Sequence, residues 1–393
     1  MLDSWRDSAA WTLCLILLSI VSFEPRAAGA APAPGQQARQ EMTVAELRQF
    51  LQAQYAADRN DGRIAGRLGS IELKERLSET TLERMIEELK PGEKSALALE
   101  MLADASALLD PPASELPVKD PPDLAAQRSM IDSAIRFAAV SLRHLPDFLA
   151  TRSTRSFDNS PLLHLQFGSM ADAGVLHPVG TFNRQIAYRN GQEVPTKENG
   201  KQTKQDASSQ ILSTYGEFGV TLATILVDAD HGKIVWSHWE QTSAGVAAVF
   251  HYEVPAGASH YAVEYCCRAP AMDRGQSARS GLANSYRGTP PYHGSLLIDP
   301  STGDVLRYTL ETELKPSDPI TRSAIWVQYG KVDIGDTSYL CPVQSGAIAL
   351  VHRLIFGSSS ELVILEINKV AFTNYHRFGS TSRILAPGGD QPQ

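Results

Sequence analysis

Hydrophobic and polar positions follow two different periods along this chain, and the change falls near Pro146. Ahead of it, apolar residues recur every three to four positions. Val44, Leu47, Leu51 and Tyr55 follow a capping box made by Thr43 and Glu46, which predicts a helix. Thr80 and Glu83 form a second such pair, with Leu82, Met85, Ile86 and Leu89 on one face and Pro91-Gly92 as the stop. A third helix runs to about Leu109, with Leu97, Met101, Ala105 and Leu108 in line, and Asp110-Pro111-Pro112 ends it. The proline-rich run 110–123 reads as a semi-rigid linker. Asp123 then caps one more helix, whose face is Ile131, Ala134, Ala138 and Leu142.

After Pro146 the period is two. Leu306, Tyr308, Leu310 and Leu314 alternate with Arg307, Thr309, Glu311 and Glu313, the pattern of a half-buried antiparallel strand. Ser295–Ile298 is its expected partner across Asp299-Pro300-Ser301-Thr302-Gly303. Residues 246–254 and 261–267 alternate likewise, and 234–241 is expected to pair with 246–254. Further strands are expected at 148–157, 181–188, 322–329, 338–344, 361–368 and 370–378, with a short helix at Phe218–Ala229. About ten strands joined by short turns make the fold class α+β: an N-terminal helical unit, then a curved antiparallel β-sheet (half-barrel) covered by helices.

Several of these segments carry a resemblance. They are the helix leading into Phe148-Leu149-Ala150-Thr151-Arg152, the strand-turn Ile186-Ala187-Tyr188-Arg189-Asn190-Gly191, and Leu297–Arg307 with its Asp-Pro-Ser-Thr-Gly turn. The hairpin from Val327-Gln328-Tyr329-Gly330 to Tyr339-Leu340-Cys341-Pro342 adds to them. Together they resemble the LolA-like outer-membrane lipoprotein carriers, over the β-region only. The resemblance implies a half-barrel that holds acyl chains between sheet and helices. The helical unit at 43–109 lies outside that pattern, and the whole also resembles secreted bacterial proteins for which no activity follows.

Composition adds limits. Of 393 residues 36 are basic and 44 acidic, a formal net charge of −8, which argues against nucleic acid as a partner. Arg63, Arg67, Lys74, Arg76 and Arg84 are interleaved with Glu72, Glu75, Glu79 and Glu83, the pattern of a solvated face. Ala9–Phe23 is an apolar run shorter than the roughly 20 residues a spanning helix needs. With Ala28-Gly29-Ala30 behind it, it reads as a cleaved export signal covering 1–30. The barely positive leading segment, with Arg6 offset by Asp3 and Asp7, leaves an uncleaved anchor as the alternative. The expectations that follow are a periplasmic or extracellular protein, no transmembrane span in the mature chain, and a division into a helical unit 31–109, linker 110–123, half-barrel 124–386 and flexible tail 387–393.

Export leaves Cys266, Cys267 and Cys341, and the expected disulfide joins Cys341 to a vicinal partner, Cys267. No C-x-x-C spacing supports a sulfur-bound metal, and no nucleophile elbow, zincin or phosphate-loop motif is present, so no cofactor is called for. The best cluster is Trp236-Ser237-His238-Trp239-Glu240, where strand alternation places Trp236, His238 and Glu240 on one face. His251 and Glu253 repeat the spacing on the facing strand, so His238, Glu240, His251 and Glu253 are candidate metal ligands or acid/base groups. Cross-strand polar pairing is the plainer reading of the same four. Trp236, Phe250, Tyr252, Tyr261, Tyr265, Tyr308 and Trp326 are candidates to line an apolar pocket, or else to fill a core. The leading expectation is non-enzymatic binding or carriage of a lipid-like ligand in the cell envelope. A secreted hydrolase using the His/Glu cluster and an interaction module docking an envelope protein through the helical front are the alternatives.

Overall fold

Thr43 opens the first helix as its sequence requires: its hydroxyl accepts from the Glu46 amide, and the Glu46 carboxylate accepts from the Thr43 amide at 2.8 Å. In a computed structural model that describes residues 40–142, 144–159, 176–194, 197–198, 201–202, 212–243, 245–265, 285–354 and 361–378, this helix is α1, Val44–Ala57. α2 (Asp61–Leu68) follows, capped by Asn60, an added helix that buries only Ile64 and Leu68 and so leaves little apolar pattern in the sequence. α3 (Glu79–Leu89) starts earlier than the Thr80/Glu83 pair predicts. Its cap is Ser78, because the hydroxyls of Ser78 and Thr81 are both held by Glu115. α4 (Glu93–Ala105) stops short of Leu109. Two short parallel strands, β1 (Gln40–Met42) and β2 (Ile71–Leu73), pair between these helices, and Leu47, Leu51, Leu68, Met85 and Leu99 form their shared core.

The large sheet is antiparallel throughout and open at both ends. Its strands are β3 (Phe148–Asp158), β4 (His177–Arg189), β5 (Gln192–Val194), β8 (Lys233–Thr242), β9 (Gly245–Val254), β12 (Tyr292–Ile298), β13 (Val305–Thr312), β14 (Ile320–Ile334), β15 (Thr337–Leu354) and β16 (Glu361–Arg377). They lie in the order β5-β4-β3-β16-β15-β14-β13-β12-β9-β8. Two small antiparallel strand pairs, β6 (Lys197–Glu198) with β7 (Lys201–Gln202) and β10 (Val263–Tyr265) with β11 (Tyr286–Gly288), are separate from it. Asn190 (φ 50°) and Gly191 (φ 76°) turn β4 into β5, the left-handed pair that a two-residue hairpin demands. Gly294 is required for a different reason: a Cβ there would sit 2.0 Å from the Thr309 carbonyl oxygen.

Bulges decide which side chains face where. A register shift at Leu297/Ile298 pairs Ile298 with Val305 and Leu297 with Arg307. Val305 thereby enters the inner core, and Leu306, expected beside Tyr308, packs instead with Ala247, Val249 and Leu297 on the other face.

The inner face is covered by α5 (Leu124–Arg136), which continues as a π-turn over 137–141, and by α6 (Val220–Asp230), as the sequence led us to expect for both segments. The core between them includes Ala134, Leu142, Phe148, Leu222, Ile225, Phe250, Tyr308 and Phe372. The outer face takes α4: Met101, with Leu97, Ala105 and Leu108, packs on Phe157, Ala324, Ile348, Leu365 and Ile367. Lys369 and Asp104 close that contact at 3.1 Å. Residues 110–123 pass from one face to the other over edge strand β8. Asp110 bonds His251 on the outer side, while the Asp120 carbonyl accepts from the Trp239 indole at 2.8 Å on the inner side. All these elements belong to one unit of the chain. Among the described residues no helix is long and apolar enough to cross a membrane.

Candidate functional site

The seven aromatic candidates fall in three places. Phe250, Tyr252 and Tyr308 are fully buried in the inner core, and the Tyr252 hydroxyl donates to the Thr309 carbonyl at 2.5 Å. Trp236 packs on that core beside Trp239 and Phe250, and Tyr261 lies 5.8 Å from the Tyr292 ring. Tyr265 sits in a smaller cluster with Ile320 and Val351. Trp326 lies on the outer face against Gly346, where any Cβ would strike the indole. Other core tyrosines tether the covering layer: Tyr188 donates to the Leu142 carbonyl and Tyr329 to that of Glu217. The middle of the half-barrel is therefore a packed core.

A cleft of about 430 Å³ opens instead at the β5 end of the inner face. Its floor is β3, β4, β5 and β16, which supply Arg152, Thr154, Phe182, Arg184, Gln192, Glu193, Val194 and Asn368. Its lip is the segment 212–216 with Val220. None of the seven aromatic candidates lines it. The lip is apolar where it meets solvent, since Tyr215 is 72% and Val220 59% exposed.

The cleft's interior is charged. Glu217 is fully buried and accepts from Arg152 at 3.0 Å and from the Thr214 hydroxyl at 2.6 Å. Arg152 also donates to the Thr214 carbonyl, so one ion pair clamps the lip to β3. Burial pushes the Glu193 carboxyl up, the nearby Glu217 charge adds to this, and Arg152 and Arg184 oppose it. One carboxylate oxygen on each of Glu193 and Glu217 has no hydrogen-bond partner among the described residues. The sequence carries no signal for this arrangement, because the charges of Arg152, Arg184, Glu193 and Glu217 come from four separate segments.

The His/Glu candidates gather on the opposite face, with a change of membership. A bulge between Trp236 and His238 pairs Trp236 with Phe250 but His238 with Val249. Trp236 and Trp239 thus point inward while His238 and Glu240 point outward, which corrects the expectation of one shared face for Trp236, His238 and Glu240. The His238 and His251 rings lie 6.3 Å apart. Glu253 is drawn away to Lys233 at 3.7 Å, and Glu240 is held by Arg76 at 2.6 Å. Asp110 takes the place beside the histidines, 3.1 Å from His251 Nε2. That hydrogen bond raises the His251 pKa and holds the Asp110 carboxyl down, whereas burial lowers the His238 pKa.

Cys267 of the expected disulfide lies outside the described residues, as do the expected export signal at 1–30 and the tail at 387–393. Cys341 is a buried free thiol, and burial pushes its pKa up to about 12.

No family model matches this sequence, and no curated protein matches it. The crystal structure of a LolA superfamily protein from Nitrosomonas europaea is similar in part. It shares 10% identity at a TM-score of 0.27, and the match spans 66% of this chain and 97% of that one. At that score the likeness adds nothing to the architecture described above.

Proposed function

We propose that this chain is an exported, non-enzymatic binding protein that holds a lipid-like molecule in the cleft between β3–β4–β5–β16 and the 212–220 lip. The observation that carries this reading is the exposed pair Tyr215 and Val220 at the rim of that cleft. Its volume falls in the range of about 300–1,000 Å³ typical of small-molecule sites. Phe182, Val194 and Leu212 offer apolar wall, while Arg152, Arg184 and Asn368 offer polar contacts at the same place. An acyl chain with an acidic head matches both kinds of wall.

Delipidated protein is titrated with a fluorescent fatty acid to test this. Saturable binding that falls about tenfold or more in Tyr215→Asp and Val220→Asp supports it, the rough equivalent of losing one apolar anchor. Absence of saturable binding, or equal binding by both variants, contradicts it. Both positions are exposed, so the fold tolerates either change.

A further inference from the structure

The outer-face cluster has what a metal site needs and what a plain ion pair does not. Asp110, His238 and His251 each offer one ligand atom, and these atoms all lie within 4.8 Å of one another. In a tetrahedral site with bonds near 2.0 Å, donors sit about 3.3 Å apart. His251 and Asp110 already meet at 3.1 Å. The rest of the gap closes by rotating side chains that are free to move, since Asp110 is 53% and His251 40% exposed.

His238 is the part that salt bridging leaves unexplained. Its Nε2 is buried with no hydrogen-bond partner among the described residues, and the nearest carboxylate, on Glu240, is 3.9 Å away. Its other ring nitrogen is engaged by the Ser237 hydroxyl at 2.9 Å. A hydrogen bond at one imidazole nitrogen that aims the other at an open position is the support that metal-binding histidines receive. Arg76 is no obstacle to a cation, because Glu240 already neutralises it.

We propose that Asp110, His238 and His251 bind one divalent first-row transition ion of the zinc type, leaving a position for water. Two ligands come from the β8–β9 hairpin and one from the start of the 110–123 segment. The ion therefore clips that segment to the sheet edge, 141 positions along the chain from His251. Two imidazoles and one carboxylate suit zinc, cobalt or nickel rather than calcium or magnesium, which favour all-oxygen sites.

Chelator-treated full chain is titrated calorimetrically with zinc, and in parallel with cobalt to read its visible absorption. The expected result is one equivalent bound per chain, a tetrahedral cobalt spectrum and a higher melting temperature with metal. Ser237→Ala should weaken binding about tenfold, and Asp110→Asn, His238→Ala and His251→Gln should each weaken it more. Asp110→Asn alters only an exposed side chain, so a folding failure at His238 does not hide the answer. No stoichiometric binding overturns the proposal, and so does binding that survives His238→Ala combined with His251→Gln. Fatty-acid binding at the inner cleft is a separate readout, and its success or failure leaves this one standing.

Discussion

The Asp228 carboxylate, at the end of α6, accepts a 2.8 Å hydrogen bond from the Tyr292 hydroxyl of β12. Both residues are almost wholly buried. The same carboxylate accepts from the His260 amide at 2.8 Å and meets the His260 ring at 2.6 Å. One acidic side chain thus joins the covering helix, the sheet and the loop after β9. Asp228→Ala removes three partners at once and strands a buried phenol. We expect a loss of about 2–4 kcal/mol in urea unfolding, against about 1–2 kcal/mol for Tyr292→Phe. Equal, small losses in both would show that the carboxylate is not the tie.

The His260 ring supplies a pH dependence of definite sign. Its hydrogen bond to Asp228 raises its pKa, so the folded protein binds that proton more tightly than the unfolded chain. The stabilisation is fully present below the unfolded value of about 6.5 and is lost as pH rises through the higher folded value. Melting temperatures of wild type and His260→Gln should therefore differ at about pH 6 and converge near pH 9. A gap that is the same at both pH values would contradict this.

Close approach makes Gly294 a sensitive position. The Tyr252 hydroxyl lies 2.6 Å from where its Cβ would be, as well as the Thr309 carbonyl at 2.0 Å. Gly294→Ala has to push β13 away from β12, and a cost of about 1–3 kcal/mol is expected from overpacking. A thermal melt settles it. An unchanged melting temperature would mean that the strands part without cost.

Met101 tests the docking of the helical front. It is buried at 4% exposure between α4 and the outer face, and truncation leaves a cavity that neither element readily fills. Met101→Ala should cost about 2–4 kcal/mol and raise hydrogen exchange in α4. The exposed ion pair of Arg48 and Glu88 is the control, where substitution should change stability by less than about 1 kcal/mol.

Periodicity made much of this fold legible. The stripe Leu97, Met101, Ala105 and Leu108 named the α4 face that meets the sheet, and Asp123 and Thr43 named two helix starts. Two bulges limited the rest, because one extra residue reverses every later side chain. That is why Leu306 lies outside and Trp236 parts company with His238. Asp110 was hidden by distance: a proline-rich stretch carries no sign that it folds back on strands more than a hundred positions later. The cleft was hidden by composition, since Arg152, Glu193, Glu217 and Asn368 are unremarkable until pairing order sets β3 between β4 and β16.

The most direct test of the binding account is cross-linking with a diazirine-bearing fatty acid, followed by peptide mapping of the full chain. The account predicts adducts concentrated on Leu212–Val220 and the facing residues of β4, suppressed by excess unlabelled fatty acid. Adducts scattered over the surface, or mapping to the Phe250–Tyr308 core, would contradict it.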